Sequence, residues 1–350
     1  MANTYVRAAG MAERELIVRL AFGSMAAQTL RAAVRLGVVE LIGDTPRHAA
    51  DVAADAGAEP QPMTRLLRAL AGLGLLKEHT PDSFSVTPAG ELLRPGRPDS
   101  LASFVRLFTE PTAVRAWEHL DGSIRTGDVA FDAVFGTDFF SHLAQHPELS
   151  AEFNAAMSQA TAKTAATLPY AFDFGRFTTL TDVGGGDGTL LVGVLNAHPG
   201  LTGVLYDTTQ GLAQAPKTLQ QHRLTQRCSL IAGDFFRSVP AGSDLYLIKS
   251  VLHDWTDEQV VTILSHCRNV LPPGGRVLIV EPVLPELVGT HDADNAVTYL
   301  SDLNMLVNVG GRERTRKDFE DVCHRAGLSL TSVTPLTGAA PFSLIEAAAD

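Results

Sequence analysis

His253 and its neighbouring acids form a pattern suited to proton transfer. The histidine follows the apolar run DLYLIKS and stands next to Asp254. Glu281 closes the next apolar run, RVLIVE, and Glu313 lies in the later segment GGRERT. A histidine base needs one ring nitrogen free for the proton and the other held by a carboxylate or a carbonyl. The sequence therefore predicts His253 as a general base, with Glu281 and Glu313 as candidates to hold its ring.

The stretch KSVLHDWTDEQVV, residues 249–261, also contains a helix start. Its segment TDEQ has the capping-box pattern, in which Thr256 accepts from first-turn N–H groups and Gln259 reaches back. A helix cap explains the residues from Thr256 onward, but it does not require an imidazole further upstream. We therefore expect His253 and Asp254 to lie in a turn that opens onto a ligand pocket.

The segment TLTDVGGGDGTLLVGVL places Gly184, Gly186 and Gly188 between a strand and a helix. Glycine lets the backbone turn sharply and approach a ligand, and the following helix start offers unpaired N–H groups. A dinucleotide fingerprint would need a third glycine at 189, where this chain has Thr189. The spacing favours a cofactor without a pyrophosphate, and a plain tight turn is the alternative.

Two acids and an aromatic residue follow the next two strand-like runs. Asp207 ends LTGVLYD, and Asp234 ends CSLIAGD directly before Phe235. In an open α/β sheet, ligands bind at the carboxyl ends of the strands. Asp207 suits the two hydroxyls of a ribose, Asp234 suits an exocyclic amino group, and Phe235 suits a purine face. Each acid alone is more typical of a turn or a cap, but together with the glycine loop they predict a ligand site.

Seven short apolar runs alternate with helical segments in the second half of the chain, which predicts a mostly parallel sheet covered on both faces. The runs are TTLTDV, LTGVLYD, CSLIAGD, DLYLIKS, RVLIVEP, LSLTSVT and FSLIEAA. Before them, Ala, Leu and Arg recur at helical spacing. We therefore expect an α/β protein with a mainly helical domain at 1–170 and a sheet domain at 171–350.

Residues 49–90 contain a helix, a turn, a second helix and a short two-stranded wing, as winged-helix DNA-binding domains do. The second helix offers only Arg65 and Arg68 as basic groups, and the chain has a net charge of −11. Because phosphate neutralisation supplies most non-specific DNA affinity, this surface is poorly suited to DNA. We expect a packing or dimerisation module, and a transcriptional regulator is the alternative.

The remaining composition excludes several classes. Three widely spaced cysteines favour neither a disulfide framework nor a zinc ribbon. No apolar segment has the length of a membrane span or the form of a signal peptide, so we expect a soluble, cytoplasmic protein. HLAQH at 142–146 lacks the glutamate of a zinc motif, and HDADN at 291–295 lies in a polar stretch. We expect no metal site.

The order and spacing of six segments resemble the caffeate-type O-methyltransferases, a class I S-adenosylmethionine-dependent family, and their bacterial natural-product members. The segments are DVGGGDGT, YD at 206–207, GDFF, KSVLHDW, LPPGGRVLIVEPVLP and GGRERT. The resemblance implies a Rossmann-like methyltransferase domain with a seven-stranded, mostly parallel sheet. It also implies a winged-helix-like N-terminal domain that forms a homodimer and closes over the substrate.

The resemblance assigns residues to three roles. It implies that His253, Glu281 and Glu313 form the catalytic set. For S-adenosylmethionine it implies contacts from Gly184, Asp207, Asp234, Phe235 and Lys249, and we add Gly186 from the loop pattern. For an aromatic acceptor it implies a pocket lined by Phe153, Met157, Met305 and Asn308, and we add Asp254 from its place beside His253.

These observations together predict an S-adenosylmethionine-dependent O-methyltransferase that acts on a hydroxyl of an aromatic small molecule. A phenol is mostly protonated at neutral pH, so in-line attack on the methyl group calls for a base. Methylation at carbon or nitrogen and a cofactor-retaining hydroxylase stay open within the same fold. A nicotinamide oxidoreductase is the alternative outside it, and Thr189 speaks against that class.

Overall fold

A computed structural model of the protein describes residues 2–289 and 296–349. Its contacts divide the chain into two compact units, Met1–Glu110 and Pro111–Asp350. This division comes earlier than the boundary at 170 that the composition predicts. The reason is that residues 111–171 form helices, as their composition predicts, but these helices pack against helices of the sheet-containing half. Helical composition alone therefore does not mark the end of the first unit.

Within the described residues, the first unit contains seven helices and a small three-stranded antiparallel sheet, in which the last strand of the chain order lies in the middle. Val52, Leu67 and Phe84 are fully buried in its core. The two predicted helices and the two strands of the wing are confirmed, and they are α4, α5, β2 and β3 in the list that follows. These are α1 (Ala2–Ala21), α2 (Gly23–Arg35), α3 (Val38–Ile42), β1 (Arg47–His48), α4 (Ala49–Asp55), α5 (Pro60–Gly72), β2 (Leu76–Thr80), β3 (Ser83–Val86), α6 (Pro88–Glu91) and α7 (Ala102–Phe108).

The second unit places helices on both faces of one large sheet. Its helices are α8 (Pro111–Trp117), α9 (Leu120–Thr126), α10 (Ala130–Phe135), α11 (Phe139–Gln145), α12 (Pro147–Ala171), α13 (Thr189–Ala197), α14 (Ala215–Gln221), α15 (Asp257–Val270), α16 (Ala296–Asn308) and α17 (Arg316–Arg325). Its strands are β4 (Thr179–Val183), β5 (Thr202–Asp207), β6 (Cys228–Ala232), β7 (Leu245–Lys249), β8 (Arg276–Leu284), β9 (Arg314–Thr315), β10 (Leu328–Pro335) and β11 (Phe342–Ala349).

The strands of this sheet are ordered β10-β11-β8-β7-β4-β5-β6, with β9 paired to β8. The five from β6 to β8 are parallel, and β11 runs antiparallel to both of its neighbours. All seven predicted strands are confirmed. The two-residue strand β9 was not predicted, because so short a segment carries no periodic pattern. The α/β class is confirmed as well.

Two hydrophobic layers cover the sheet because alternate residues of each strand face opposite sides. Leu180 and Leu247 face a layer that includes α12, α13 and α14. Tyr246 and Ile248 face the opposite layer, which includes α15 and α17. Strands buried on both faces read as nearly continuous apolar runs, which explains why sequence alone located them.

The order of the parallel strands creates a ligand crevice. The chain leaves β4 toward β5 on one side and later returns to β7 on the other. Such a reversal opens a space at the carboxyl ends of the strands, where ligands of open α/β sheets bind. The glycine loop follows β4, Asp207 ends β5, and the turn bearing His253 follows β7. The topology therefore gathers the predicted site residues at one edge.

The contact between α12 and α13 depends on Gly193, and we predict that Gly193→Ala destabilises this unit. An added Cβ would strike the backbone carbonyl of Ala165 on α12. Overpacking of this kind costs about 1–3 kcal/mol in the free energy of unfolding. Thermal denaturation measures the loss, and Gly200→Ala is the control, since no atom lies within 4 Å of its added Cβ. Equal melting temperatures for both variants would contradict the prediction.

Candidate active site

The imidazole of His253 is held by Glu313. His253 lies in a short 3-10 helix, Leu252–Asp254, between β7 and α15. Its Nδ1 is 3.0 Å from Oε1 of Glu313, an oxygen that also accepts from the Ser301 hydroxyl at 3.0 Å. The backbone N–H of Glu313 donates in turn to Asp302 at 2.8 Å. An ionised Glu313 can only accept a hydrogen bond, so the ring nitrogen Nδ1 donates its proton to it. The other ring nitrogen, Nε2, does not bond to Glu313.

Glu281 holds the backbone of the same turn instead of the ring. Its Oε1 accepts from the backbone N–H groups of Val251 at 3.1 Å, Leu252 at 2.7 Å and His253 at 3.3 Å. The side chain is buried, with 1% of the residue exposed. Of the two predicted holders, Glu313 therefore contacts the ring, while Glu281 bonds to the peptide groups that carry it.

The acids around His253 favour its charged form. Burial alone would lower the pKa of His253, but Asp254, Glu313 and Glu281 outweigh it and raise that pKa to about 10. Burial, with repulsion from Glu281 and Glu313, raises the pKa of Asp254 to about 7. Nε2 of His253 lies 3.6 Å from Asp254, beyond hydrogen-bond distance. The groups titrate as one coupled set, and Nε2 has no hydrogen-bond partner among these acids.

Among the described residues, one group of three has ligating atoms close enough to hold a metal ion. It comprises His253, Glu281 and Glu313, whose ligating atoms lie within 4.8 Å of one another. Hydrogen bonds already engage Nδ1 of the histidine and one oxygen of each glutamate. We therefore interpret the group as an acid–base set. The polar segment 291–295, where we expect no metal site, lies outside the described residues.

The capping box predicted at Thr256 is confirmed. Its side chain accepts from the N–H of Gln259, and the Gln259 side chain reaches back to the N–H of Thr256. The helix start thus accounts for α15, and the turn that precedes it has its own hydrogen bonds to Glu281 and Glu313.

The glycine loop has the geometry of a cofactor cradle. Gly184, Gly186 and Gly188 all have positive φ, which only glycine adopts freely. A Cβ on Gly184 would lie 2.6 Å from the Val251 side chain, whereas one on Gly186 would meet no atom within 4 Å. The loop is therefore packed against the protein at Gly184 and open at Gly186. A ligand can approach its backbone at the second glycine.

Acids line this loop. Asp207 accepts from the N–H of Gly186 at 2.9 Å and from that of Thr208 at 2.6 Å. Burial, with repulsion from Asp207, raises the pKa of Asp182 beneath the loop to about 7. Oδ2 of Asp182 is buried and has no hydrogen-bond partner. An open backbone, an unpartnered acceptor and negative charge fit S-adenosylmethionine, which carries amino and sulfonium cations and ribose hydroxyls.

Lys249, at the end of β7, also lies at this edge. Its ammonium donates to Thr161 on α12 at 3.0 Å and lies 4.8 Å from the ring centre of Phe342. Burial lowers the pKa of Lys249 to about 8. The resemblance assigns this side chain to the cofactor, and that role stays a prediction. The structure adds its contact with α12.

Asp234 and Phe235 form a loop beside the His253 turn. Asp234 is exposed and accepts from the backbone N–H of Phe236 at 2.9 Å. The ring of Phe235 lies 6.0 Å from that of Trp255, edge to face. Because Trp255 follows Asp254 directly, the loop predicted to hold a purine adjoins the turn predicted to hold the base.

The predicted acceptor residues lie on α12 and α16. The ring of Phe153 is 6.3 Å from Phe140, which stacks on Trp255 at 5.3 Å, so aromatic contacts connect it to the His253 turn. Met157 is half-buried on the same helix. Met305 and Asn308 are buried, and the Asn308 amide donates to Asn304 at 2.8 Å. Their role in acceptor binding stays a prediction.

Sequence reasoning missed two buried charged residues. Asp182 opens the D-x-G-x-G-x-G spacing of the glycine loop, but the pattern does not show that this carboxylate is buried beneath the loop. Arg314 is fully buried and donates hydrogen bonds to two backbone carbonyls of the segment that carries His253. Its position in GGRERT gave no indication of burial, because arginine is mostly exposed in proteins.

Comparison with known proteins identifies the family. Residues 117–329 match the O-methyltransferase domain, and residues 18–95 match the O-methyltransferase dimerisation domain. The chain belongs to the O-methyltransferase family. An O-demethylpuromycin-O-methyltransferase from Streptomyces alboniger is 44% identical to this enzyme over 97% of its chain and 90% of the relative.

Two solved structures resemble the enzyme along most of its length. Human N-acetylserotonin methyltransferase, in complex with SAM, has a TM-score of 0.86 at 26% identity and covers 96% of this chain and 97% of its own. An O-methyltransferase from neocarzinostatin biosynthesis, with SAM and 2-hydroxy-5-methyl naphthoic acid, has a TM-score of 0.76 at 31% identity. It covers 93% of this chain and 96% of its own.

These matches confirm several predictions. The caffeate-type family, the enzyme class and its S-adenosylmethionine cofactor are confirmed at the level of the family. The match to the dimerisation domain confirms the predicted homodimer. Within the described part of the chain, no helix is both long and apolar enough to cross a membrane.

The open space at Gly186 predicts the effect of a single methyl group there. Gly186→Ala should weaken S-adenosylmethionine binding at least tenfold, because the added Cβ enters the space where a cofactor approaches the loop. Titration calorimetry with S-adenosylhomocysteine measures the change. Gly274→Ala is the matched control, since Gly274 also has positive φ and open space but lies in the turn before β8. Equal affinities of the two variants would disprove this assignment.

Proposed function

We propose that the enzyme methylates a hydroxyl of an aromatic small molecule from secondary metabolism, with His253 as the general base. The observation that carries the proposal is the fixed ring of His253: Glu313 holds Nδ1, and Nε2 has no hydrogen-bond partner among the surrounding acids. The ring lies on the turn after β7, at the same sheet edge as the glycine loop after β4.

Each side chain has a definable part in this reaction. The bound cofactor supplies a methyl group on a positively charged sulfonium. Nε2 of His253 removes the proton of the acceptor hydroxyl, and Glu313 stabilises the imidazolium that results. The backbone of Gly186 would contact the cofactor, and Asp207 would hold its ribose. Asp234 and Phe235 would lie at its purine. Phe153 and its aromatic neighbours offer an apolar wall for the acceptor ring.

The acids make this proton transfer favourable. A phenol has a pKa near that of tyrosine, ~10. His253 has its pKa raised to about 10 by the surrounding carboxylates, despite its burial. Donor and acceptor are therefore matched, so the neutral ring takes the proton with little free-energy cost, and the share of neutral ring grows as the pH approaches 10. An ordinary surface histidine would hold that proton less strongly.

The acceptors named for the relatives support an aromatic substrate. One relative acts on O-demethylpuromycin, and a Streptomyces cremeus relative, 37% identical, is a 3-amino-4-hydroxybenzoate 4-O-methyltransferase. The neocarzinostatin enzyme was solved with a hydroxylated naphthoic acid. All of these relatives belong to bacterial small-molecule chemistry.

We also propose that the enzyme acts in the cytoplasm, where S-adenosylmethionine is made.

One relative favours a second candidate function, methylation of an aromatic amine. The 8-amino-8-demethylriboflavin N,N-dimethyltransferase of Streptomyces davaonensis is 40% identical to this chain over 87% of its length. A neutral arylamine is nucleophilic before it loses a proton, so it has less need of a base. The retained pair of His253 and Glu313 therefore favours a hydroxyl acceptor over an amine.

Removal of the imidazole tests the proposal. His253→Ala should retain cofactor affinity by calorimetry but lose about 10²–10⁴-fold in kcat on a panel of hydroxylated aromatics, because general base catalysis is lost. His222→Ala, on an exposed histidine at the end of α14, is the control. Unchanged kcat in His253→Ala would reject the base. Turnover confined to arylamines would select the second candidate function.

The charge of Glu313 predicts a shift in the pH profile. Because carboxylates raise the pKa of His253, kcat of the wild type should increase with pH between about 7 and 10 as the ring loses its proton. Glu313→Gln removes one negative partner, so the pKa falls and the rising limb moves to lower pH. Glu346→Gln is the control, since Glu346 pairs with Arg176 and with Arg276, the first residue of β8, instead of with the His253 turn. A limb that stays in place would refute the coupling.

A further inference from the structure

The turn that carries His253 is held from its carbonyl side by a buried arginine. NH1 of Arg314 donates to the carbonyl of Leu252 at 2.9 Å, and NH2 donates to that of Trp255 at 2.9 Å. These carbonyls flank His253 and Asp254. The side chain of Arg314 is fully buried, so these bonds are formed away from water.

A single carboxylate anchors the guanidinium itself. Both Nε and NH2 of Arg314 donate to Oδ1 of Asp257, at 3.0 and 2.8 Å. Asp257 lies in the first turn of α15, directly after the His253 turn. The planar fork of an arginine can make these bonds together, whereas a lysine ammonium has only three donors on one nitrogen. The arginine therefore ties the end of the turn to the start of the helix.

Glu281 holds the opposite side of the same turn. It accepts from three successive N–H groups, those of residues 251–253. The turn thus has its N–H groups on a buried anion and its carbonyls on a buried cation. Glu281 and Arg314 come from β8 and β9, two strands paired in parallel. Neighbouring strands thereby fix both polar sides of one peptide segment.

The local chain does not favour this turn without such support. Ser250, which precedes it, has a φ of 52°, in the left-handed region that residues other than glycine rarely adopt. Burial of two charges is also costly unless every hydrogen-bonding group is satisfied. Strain and buried charge at one place indicate that the position of the turn matters more than local stability.

We propose that Arg314 and Glu281 are positioning residues, which together hold the His253 turn so that Nε2 faces the acceptor hydroxyl. Neither side chain needs to touch substrate. The inference rests on the proposed base role of His253 and assigns the effect of Glu281 to its backbone hydrogen bonds. It predicts that the shape of the two side chains matters as well as their charge.

The first experiment replaces the arginine fork while keeping its charge. Arg314→Lys should lower kcat roughly 10–100-fold, because a displacement of about 1 Å at a reacting group has effects of this size. The dissociation constant of S-adenosylhomocysteine should change less than about twofold. Arg227→Lys is the matched control, because Arg227 also donates to backbone carbonyls, in its case those of Leu195, His198 and Leu201, at the opposite end of the strands. Arg227→Lys should have a lower melting temperature than the wild type but the same kcat.

The second experiment separates acceptor geometry from charge at Glu281. Glu281→Gln keeps an oxygen that can accept the three N–H groups, whereas Glu281→Ala removes it. Positioning predicts a kcat at least about tenfold higher in Glu281→Gln than in Glu281→Ala. If Glu281 acts by its charge on the ring, the two variants lose kcat equally, and that result overturns the proposal. This pair decides the question even if Arg314→Lys does not fold.

A third measurement is independent of any substrate. The ring of His253, labelled with ¹⁵N and assigned through His253→Asn, can be titrated by NMR in the wild type and in Arg314→Lys. A displaced turn separates the ring from Glu313, so its pKa should fall in Arg314→Lys and not in Arg227→Lys. Identical titrations in all three proteins would overturn the positioning role. Absence of methyl transfer by the wild type would count against the proposed function alone.

Discussion

Parallel pairing of β4 with β5 and with β7 is the constraint on which the predicted cofactor site depends. The hydrogen bonds of the ladder fix the register, and the register brings the ends of the three strands to one edge. The glycine loop, Asp207 and the His253 turn follow from that edge. Strand pairing fixes the strand ends, and the His253 turn beyond them is held by further hydrogen bonds to Glu281 and Arg314.

Acidic groups outnumber basic ones at this edge. Asp182, Asp207, Asp254, Glu281 and Glu313 lie near Lys249, His253 and Arg314, and the pKa values of Asp182, Asp254 and Lys249 are displaced by burial. Backbone N–H groups satisfy one oxygen of Glu281, whereas Oδ2 of Asp182 and Oε2 of Glu313 are buried without a hydrogen-bond partner. A cationic methyl donor suits this acidic edge, and neutralisation of charge on transfer then requires little reorganisation of solvent.

Much of the fold could be predicted from the sequence, because several elements leave a local pattern in it. The seven long strands carry continuous apolar runs because both of their faces are buried, and the capping box at Thr256 is a local pattern. Other features were not local. The domain division at 110 depends on which helices pack together, and the strand β9 is too short to show a period. Both are decided by contacts between distant residues.

Sequence alone identifies which residue types stand at the strand ends: four glycines after β4, an aspartate at the end of β5 and a histidine after β7. Chain order and apolar periodicity are sufficient for that. The different contacts of the two glutamates, with Glu313 on the ring and Glu281 on the backbone, depend on the tertiary structure. The burial of Arg314 against the same turn depends on it as well. Hydrogen bonds between residues far apart in sequence depend on distance and direction, and these exist only once the strands have paired.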